Sequence, residues 1–181
     1  MNTNKEFMTP GSPVFDDDLY LAIYLVKSQS GIDRIRSKAE NDGFREQNNL
    51  HITVLSEKVF LPLLQESSPA KRTKIIQKII SLISHTDWKF KLEDIYYVAG
   101  LIPAARTGTR DEYRESYIRT VCMPGFNQFI ENINNILESR IPLPFPHITL
   151  FTKGEGKNPK YYGIPINSKE EFQGLKSRQI R

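Results

Sequence analysis

Cysteine and histidine are both scarce in this chain of 181 residues, which contains one cysteine and three histidines. A single cysteine excludes an intrachain disulfide and any metal site built from several thiolates. No apolar run approaches the roughly 18–20 residues that a membrane-spanning helix needs, and residues 1–18 lack the apolar core of a secretory signal. We therefore expect a monomeric, cytoplasmic protein that does not contact a membrane.

The charge balance is also modest. The chain has 25 basic and 21 acidic residues, a formal net charge of +4, and its hydrophobic fraction is 39%. These values are typical of a globular domain. A charge of this size is compatible with an anionic substrate but is too small for non-specific coating of nucleic acid. We expect one domain over residues 18–176, between flexible tails at 1–17 and 177–181.

Hydrophobic patterning predicts an α+β fold. Isoleucines recur at helical spacing over residues 71–84, which indicates an amphipathic helix. Shorter or weaker helical patterns occupy three further segments, 32–41, 126–140 and 170–175. Apolar or alternating runs predict strands at 19–26, 49–55, 88–92, 95–101, 117–123 and 146–152, with a short edge strand at 164–166. Residues 103–114 lack apolar content and are predicted to form a loop or a hairpin.

A strand–helix–strand unit occurs twice in this pattern, once over residues 19–55 and again over 116–151. The two copies are offset by 96 residues, so that Ile52 corresponds to Ile148 and Val54 to Leu150. We interpret this as a duplication. It predicts two pseudo-twofold lobes, about 18–94 and 95–176, with room for strand exchange between them. Antiparallel sheets would line a central cleft, with the matching strands facing each other across it and the helices outside.

Two of the three histidines begin the same tripeptide, His-Ile-Thr, in the matching strands. The tripeptides are His51 to Thr53 and His147 to Thr149. Because strand side chains alternate between faces, each histidine shares a face with its threonine, while the isoleucine between them points to the other face. The simpler alternative is a pair of structural histidines on a polar sheet face.

Such a pair suits phosphoryl transfer without a metal. One imidazole can take a proton from an attacking water, and the other can give a proton to the leaving oxygen. The hydroxyls of Thr53 and Thr149 can donate hydrogen bonds to the phosphate oxygens, where negative charge develops. The sequence does not distinguish which of His51 and His147 is the base.

Two His-x-Thr motifs about a hundred residues apart resemble those of the 2H phosphoesterase superfamily, which includes 2′-5′ RNA ligases and 2′,3′-cyclic phosphodiesterases. The resemblance covers residues 19–152. Outside the motifs it is a likeness of pattern only. It implies a bilobal α+β fold, activity without a metal or other cofactor, and an RNA, oligonucleotide or cyclic nucleotide substrate. By position it makes His51 and His147 catalytic and Thr53 and Thr149 phosphate-binding.

Five further residues are candidates for substrate contact. Arginine suits phosphate geometry, and aromatic rings can stack on a nucleobase. Arg106 and Arg110 lie in the 103–114 loop, where the alternative is a solvated loop paired with acidic neighbours. Arg119 lies within a strand beside the His147 strand. Phe145 precedes that strand, and Tyr161 follows it.

The favoured function is hydrolysis of an RNA or oligonucleotide phosphodiester, with opening of a 2′,3′-cyclic phosphate to a 2′-phosphate as the leading reaction. Two alternatives stay open. One is hydrolysis of 2′-5′-linked or cyclic oligonucleotides that act as immune signals. The other is a catalytically idle module that binds an RNA end or a nucleotide.

Overall fold

An antiparallel sheet of eight strands forms the centre of the fold. The computed structural model describes residues 7–15, 20–104, 110–154 and 163–180. In these ranges the strands are β1 (Val14–Phe15), β2 (Leu21–Tyr24), β3 (Arg45–Glu46), β4 (His51–Leu55), β5 (Lys91–Ile102), β6 (Glu112–Cys122), β7 (His147–Gly154) and β8 (Lys176–Ile180). Their order is β1-β2-β4-β7-β6-β5-β8, and β3 also pairs with β7. Together with the helices, this sheet confirms the predicted α+β class.

Six α-helices and one 3₁₀ turn accompany the sheet within the described ranges. They are α1 (Lys27–Ser30), the 3₁₀ turn (Ile32–Arg34), α2 (Arg36–Asn41), α3 (Glu57–Gln65), α4 (Pro69–His85), α5 (Phe126–Leu137) and α6 (Lys169–Gly174). The two long helices form where the sequence pattern predicts them. In α5 the residues Phe126, Phe129, Ile130 and Ile133 are buried, at the i, i+3, i+4, i+7 spacing of one helical face.

The main hydrophobic core lies on one face of the sheet. Ile23, Ile52 and Ile148 are paired across three neighbouring strands and are fully buried. They belong to one cluster with helix residues that include Ile79 of α4 and Phe129 of α5. The helices therefore cover the isoleucine face of the two motif strands, and this burial holds both strands in position.

A smaller hydrophobic cluster lies on the opposite face. It contains Val98, Ile102, Ile118, Ile164 and Ile166, with four partly buried residues packed against it: Tyr96, Phe145, Phe172 and Leu175. Ile118 is directly paired with Thr149, so this cluster shares the face that carries the motif hydroxyl. Residues 163–175 thus cover part of the sheet beside the motifs.

The chain ends depart from the expected tails. Residues 176–180 form β8, which pairs with β5 from Ile95 to Ala99. The tail predicted at 177–181 is therefore an edge strand over its described part. Val14 and Phe15, expected in the flexible tail at 1–17, form β1 against β2. An edge strand has one neighbour and little burial, which leaves a weak hydrophobic pattern in the sequence.

Three internal predictions also need correction. Residues 57–65 form helix α3, with Pro62 inside it, a segment to which the sequence pattern assigned neither a helix nor a strand. The expected strands at 88–92 and 95–101 are largely one long strand, β5, whose register shifts between Leu92 and Ile95. Residues 164–166 form no strand; their isoleucines are buried on the sheet instead.

None of the helices in the described ranges is both long enough and apolar enough to cross a bilayer.

Candidate functional site

The two His-Ile-Thr tripeptides lie side by side in the middle of the sheet. β4 and β7 are antiparallel neighbours, with Ile52 directly opposite Ile148. Both isoleucines are fully buried in the main core. Alternation therefore directs all four histidine and threonine side chains to the other face. The sequence predicted strands that face each other across a cleft; they are instead neighbours in one sheet.

The antiparallel register sets the arrangement of these four side chains. Around the Ile52–Ile148 pair, His51 lies on the Thr149 side and Thr53 on the His147 side. The two histidines are then diagonal neighbours, and residues in this relationship lie roughly 7–8 Å apart, with their Cβ atoms somewhat closer. A separation of this size leaves room for a phosphate group between two imidazoles. The two hydroxyls occupy the other diagonal.

The strands that flank β4 and β7 pair with them in matching registers, and the matching positions are separated by the 96 residues found in the sequence. Three pairs join β2 to β4, namely Ala22–Thr53, Ile23–Ile52 and Tyr24–His51. Three pairs join β6 to β7, namely Ile118–Thr149, Arg119–Ile148 and Thr120–His147. Every residue of the second set lies 96 positions after its counterpart in the first. The local strand register is thus the same around both motifs.

Each histidine is held in the same way by its own strand. The Nδ1 atom of His51 lies 2.9 Å from the carbonyl oxygen of Asn49, and Nδ1 of His147 lies 2.7 Å from that of Phe145. A carbonyl oxygen only accepts hydrogen bonds, so each Nδ1 carries the hydrogen. In the neutral ring this leaves the lone pair on Nε2. Both rings are therefore set to exchange a proton through Nε2.

The surroundings of His147 favour its neutral form. Burial is the main cause of a lowered pKa, and the nearby His51 lowers it further, while the Phe145 carbonyl acts in the opposite direction. Burial lowers the pKa of a histidine because it penalises the charged ring. The contribution of His51 places the two imidazoles close enough for its charge to act on His147. A neutral imidazole is the form that a general base requires.

The first motif is lined by two tyrosines. The hydroxyl of Tyr20 lies 2.8 Å from Oγ1 of Thr53, in a hydrogen bond that either group can donate. The Tyr20 and Tyr24 rings lie 6.1 and 5.8 Å from that of His51, centroid to centroid. Neither tyrosine is among the five candidate substrate contacts chosen from the sequence. Strand alternation from Ala22, which pairs with Thr53, is the signal that could have placed Tyr20 beside the threonine.

Arg119 does not share the face of the motifs, contrary to our expectation. It is paired with Ile148 and is only 3% exposed. Its guanidinium donates to the carbonyl oxygens of Glu93 at 3.2 Å, Ser30 at 3.4 Å and Gly31 at 3.4 Å. Burial lowers its pKa. Arg119 therefore ties β6 to the end of α1 on the core side of the sheet.

The other four candidate substrate contacts differ in whether the structure places them near the motifs. Arg106 and Tyr161 lie outside the described residues. Arg110 is exposed and lies just before β6. The residue of β6 that pairs with His147 is Thr120, eight positions after Glu112, the first residue of that strand. Eight residues of strand span about 26 Å, so the structure does not bring Arg110 to the motifs. Phe145 does lie at the site, with its ring 5.9 Å from that of His147.

A metal site is not formed by the side chains that the structure describes, among which no group of three His, Cys, Asp or Glu residues comes together. His85, the third histidine, is exposed at the end of α4, and its Nδ1 bonds to the carbonyl of Ser81. The functional groups on the motif face are thus two imidazoles and hydroxyls, which are proton-transfer and hydrogen-bonding groups.

Comparisons with family models, with curated proteins and with solved structures give no match for this chain.

Proposed function

We propose that this protein is a metal-independent phosphodiesterase of the 2H type, acting on RNA or oligonucleotide phosphodiesters. The leading reaction is the opening of a 2′,3′-cyclic phosphate to a 2′-phosphate. The observation that supports it most directly is the Ile52–Ile148 pair. With this register, two imidazoles and two hydroxyls share one sheet face, at a spacing that suits a single phosphate group.

In the proposed mechanism His147 is the general base. Its lowered pKa keeps Nε2 free of a proton near neutral pH, so that it can accept one from water. The water oxygen forms a new bond to phosphorus while the bond from phosphorus to the ribose 3′-oxygen breaks. In-line displacement of this kind needs the acid and the base on opposite sides of the phosphate, as a diagonal pair of histidines can provide.

His51 is then the general acid. In its protonated form Nδ1 still donates to the carbonyl of Asn49, and the Nε2 hydrogen is available for the departing 3′-oxygen. The two proton transfers balance. Water supplies the proton that His147 takes, and the new 3′-hydroxyl keeps the proton that His51 gives. The hydroxyls of Thr53 and Thr149 donate to the non-bridging oxygens, where charge accumulates.

We also propose that the two halves of the domain arose by duplication, as lobes of about 18–94 and 95–176. The support is the strand order β2-β4-β7-β6, which is symmetric about the β4–β7 pair, together with the constant offset of 96 residues in the paired positions. Substrate would then bind at the pseudo-twofold axis, between the two motifs.

The test is a substrate panel in the presence of EDTA. Purified protein is incubated with 2′,3′-cyclic nucleotides, 2′-5′ oligoadenylate and cyclic dinucleotides, and the products are identified by phosphorus NMR. Conversion of the cyclic nucleotides to 2′-phosphates is the expected result. Preference for the oligoadenylate or the cyclic dinucleotides would support the signal-degrading alternative. Binding without turnover would support the idle module, and a requirement for added metal would contradict the mechanism.

A further inference from the structure

Phe145 controls His147 through two separate contacts. Its carbonyl oxygen accepts the Nδ1 hydrogen of His147 at 2.7 Å. Its ring lies against the imidazole, with centroids 5.9 Å apart and planes inclined by 28°. The first contact selects the tautomer and the second restrains the plane of the ring. Both contacts therefore constrain where Nε2 of His147 points.

The segment around Phe145 is rich in proline and has few backbone hydrogen-bond donors. Phe145 lies in residues 141–146, which form neither helix nor strand. Prolines at 142, 144 and 146 have no N–H group, so three positions of this segment cannot donate a backbone hydrogen bond. Proline also fixes its own φ and restricts the residue before it, so the backbone of Phe145 is constrained, and packing decides the position of its side chain.

That packing comes from the C-terminal part of the chain. The ring of Phe172, in α6, lies parallel to the ring of Phe145, with centroids 4.4 Å apart and planes inclined by 17°. Tyr96 of β5 contacts Phe172 edge-on at 5.4 Å. Phe172 is thus held between the sheet and Phe145, and the rings of His147, Phe145 and Phe172 form a continuous series.

The segment that carries Phe172 is anchored on both sides. Before it, Ile164 and Ile166 are buried on the sheet, and Ser168 caps α6 by accepting from the backbone N–H of Glu171 at 3.2 Å. After it, β8 pairs with β5. A six-residue helix is too short to hold itself in place, so these anchors determine the position of Phe172.

Within the described residues, the first motif lacks an equivalent series of rings on the carbonyl side of its histidine. The residue 96 positions before Phe145 is Asn49, which is exposed and has no ring. His51 is instead flanked by Tyr20 and Tyr24 of the preceding strand. The ring series is therefore specific to His147, the histidine assigned as the base.

We infer that Phe172 is a positioning residue, which holds Phe145 against His147 so that the C-terminal segment completes the catalytic centre. This inference rests on the proposed function only for its effect on turnover. Phe145, considered from the sequence as a substrate contact, also contacts the rings of His147 and Phe172.

The test compares three substitutions. Phe172→Leu keeps an apolar side chain but removes the parallel ring, and Phe172→Tyr keeps the ring. Leu175→Ala is the matched control, since Leu175 packs in the same cluster but lies over Gly100 of β5, two strands away from β7.

Misplacement of a reacting group by about 1 Å can lower the rate about a hundredfold. For a partial displacement we expect Phe172→Leu to lower kcat about tenfold, with KM within twofold, while the other two variants stay near wild type.

A second readout does not depend on turnover. Long-range nitrogen–proton NMR spectra report the tautomer of each imidazole. In wild type, His147 is expected to be in the Nδ1–H form; in Phe172→Leu a mixture with the Nε2–H form should appear, while His51 is unchanged. An unchanged His147 tautomer in a folded Phe172→Leu variant would overturn the inference. Absence of turnover in wild type would contradict the proposed function instead, and the tautomer result would still decide the role of Phe172.

Discussion

Ile52 and Ile148 lie directly opposite each other in neighbouring antiparallel strands, and neither is exposed to solvent. The pair therefore attaches both motif strands to the core. It also marks the centre of the candidate site, which lies on the other face of the sheet. A shift of one residue in this register would turn every histidine and threonine of one motif into the core. Burial of the isoleucines opposes such a shift, so the packing of the core specifies the geometry of the face that carries the histidines and threonines.

Stability should depend on the protonation of His147. Its pKa in the folded chain is below the ordinary value of 6.5. Between the two values the unfolded chain binds more protons than the folded one, so the free energy of unfolding decreases as pH falls through that window. Above 6.5 the effect vanishes because both states are neutral at this position.

Urea unfolding of wild type and His147→Gln between pH 4 and 8 checks this. The difference between the two proteins isolates His147 from other titrating groups, and the wild type should lose more stability than the variant as pH falls. Parallel curves for the two proteins would contradict a lowered pKa. If His147 is the base, kcat/KM should decrease as pH falls through the lowered pKa of His147 in the folded chain, at the acidic end of that window, since the protonated ring cannot accept a proton.

Thr149 should act through its hydroxyl. Thr149→Val keeps the branched shape on the strand but removes the donor, and loss of one such donor typically costs about 10²–10³ in kcat. Thr149→Ser retains the hydroxyl and should keep most of the activity. Steady-state kinetics on a 2′,3′-cyclic nucleotide distinguish them. Equal activity of the valine and serine variants would show that this hydroxyl does not stabilise the transition state.

Tyr20 should modulate Thr53 rather than contact the phosphate. Tyr20→Phe removes the group that lies 2.8 Å from Oγ1 of Thr53 but keeps the ring beside His51. Because a neutral hydrogen bond contributes about 1 kcal/mol, we expect kcat to change about fivefold and the fold to be retained. A loss as large as that of Thr53→Val would instead make Tyr20 a direct participant.

Arg119 should matter for stability and not for substrate binding. Arg119→Met leaves the carbonyls of Ser30, Gly31 and Glu93 without their guanidinium donor. Leaving buried acceptors without a donor costs about 1–3 kcal/mol. We therefore expect the free energy of unfolding to fall by about 2 kcal/mol, measured in urea, with KM unchanged. A raised KM at unchanged stability would restore the role first expected from the sequence.

Much of the site could be read from the sequence because it depends on local alternation. The shared face of His51 and Thr53, and of His147 and Thr149, needs only a strand, and the offset of 96 residues relates the pairs of β2 and β4 to those of β6 and β7. By contrast, the side of the sheet that Arg119 faces could not be read from the sequence. Alternation separates it from Ile118 and Thr120, but only the paired Ile148 shows that its own side is the core.

Other features depend on long-range contacts with no local signal. The Lys-Ser-Arg-Gln-Ile segment of β8 has no clear hydrophobic alternation, and it is a strand because β5 offers it an edge. The contact between Phe145 and Phe172 joins residues 27 positions apart through a six-residue helix. A sequence pattern can show that both are apolar, but not that one ring positions the other beside a histidine.

The most direct test of the proposed mechanism is the hydrolysis of a 2′,3′-cyclic nucleotide in EDTA by three histidine variants. His51→Ala and His147→Ala should each lose at least about a hundredfold in kcat, as expected for removal of a general acid or base. His85→Ala, which removes the exposed histidine at the end of α4, should retain wild-type activity. Turnover that survives in both motif variants would contradict the assignment of the site.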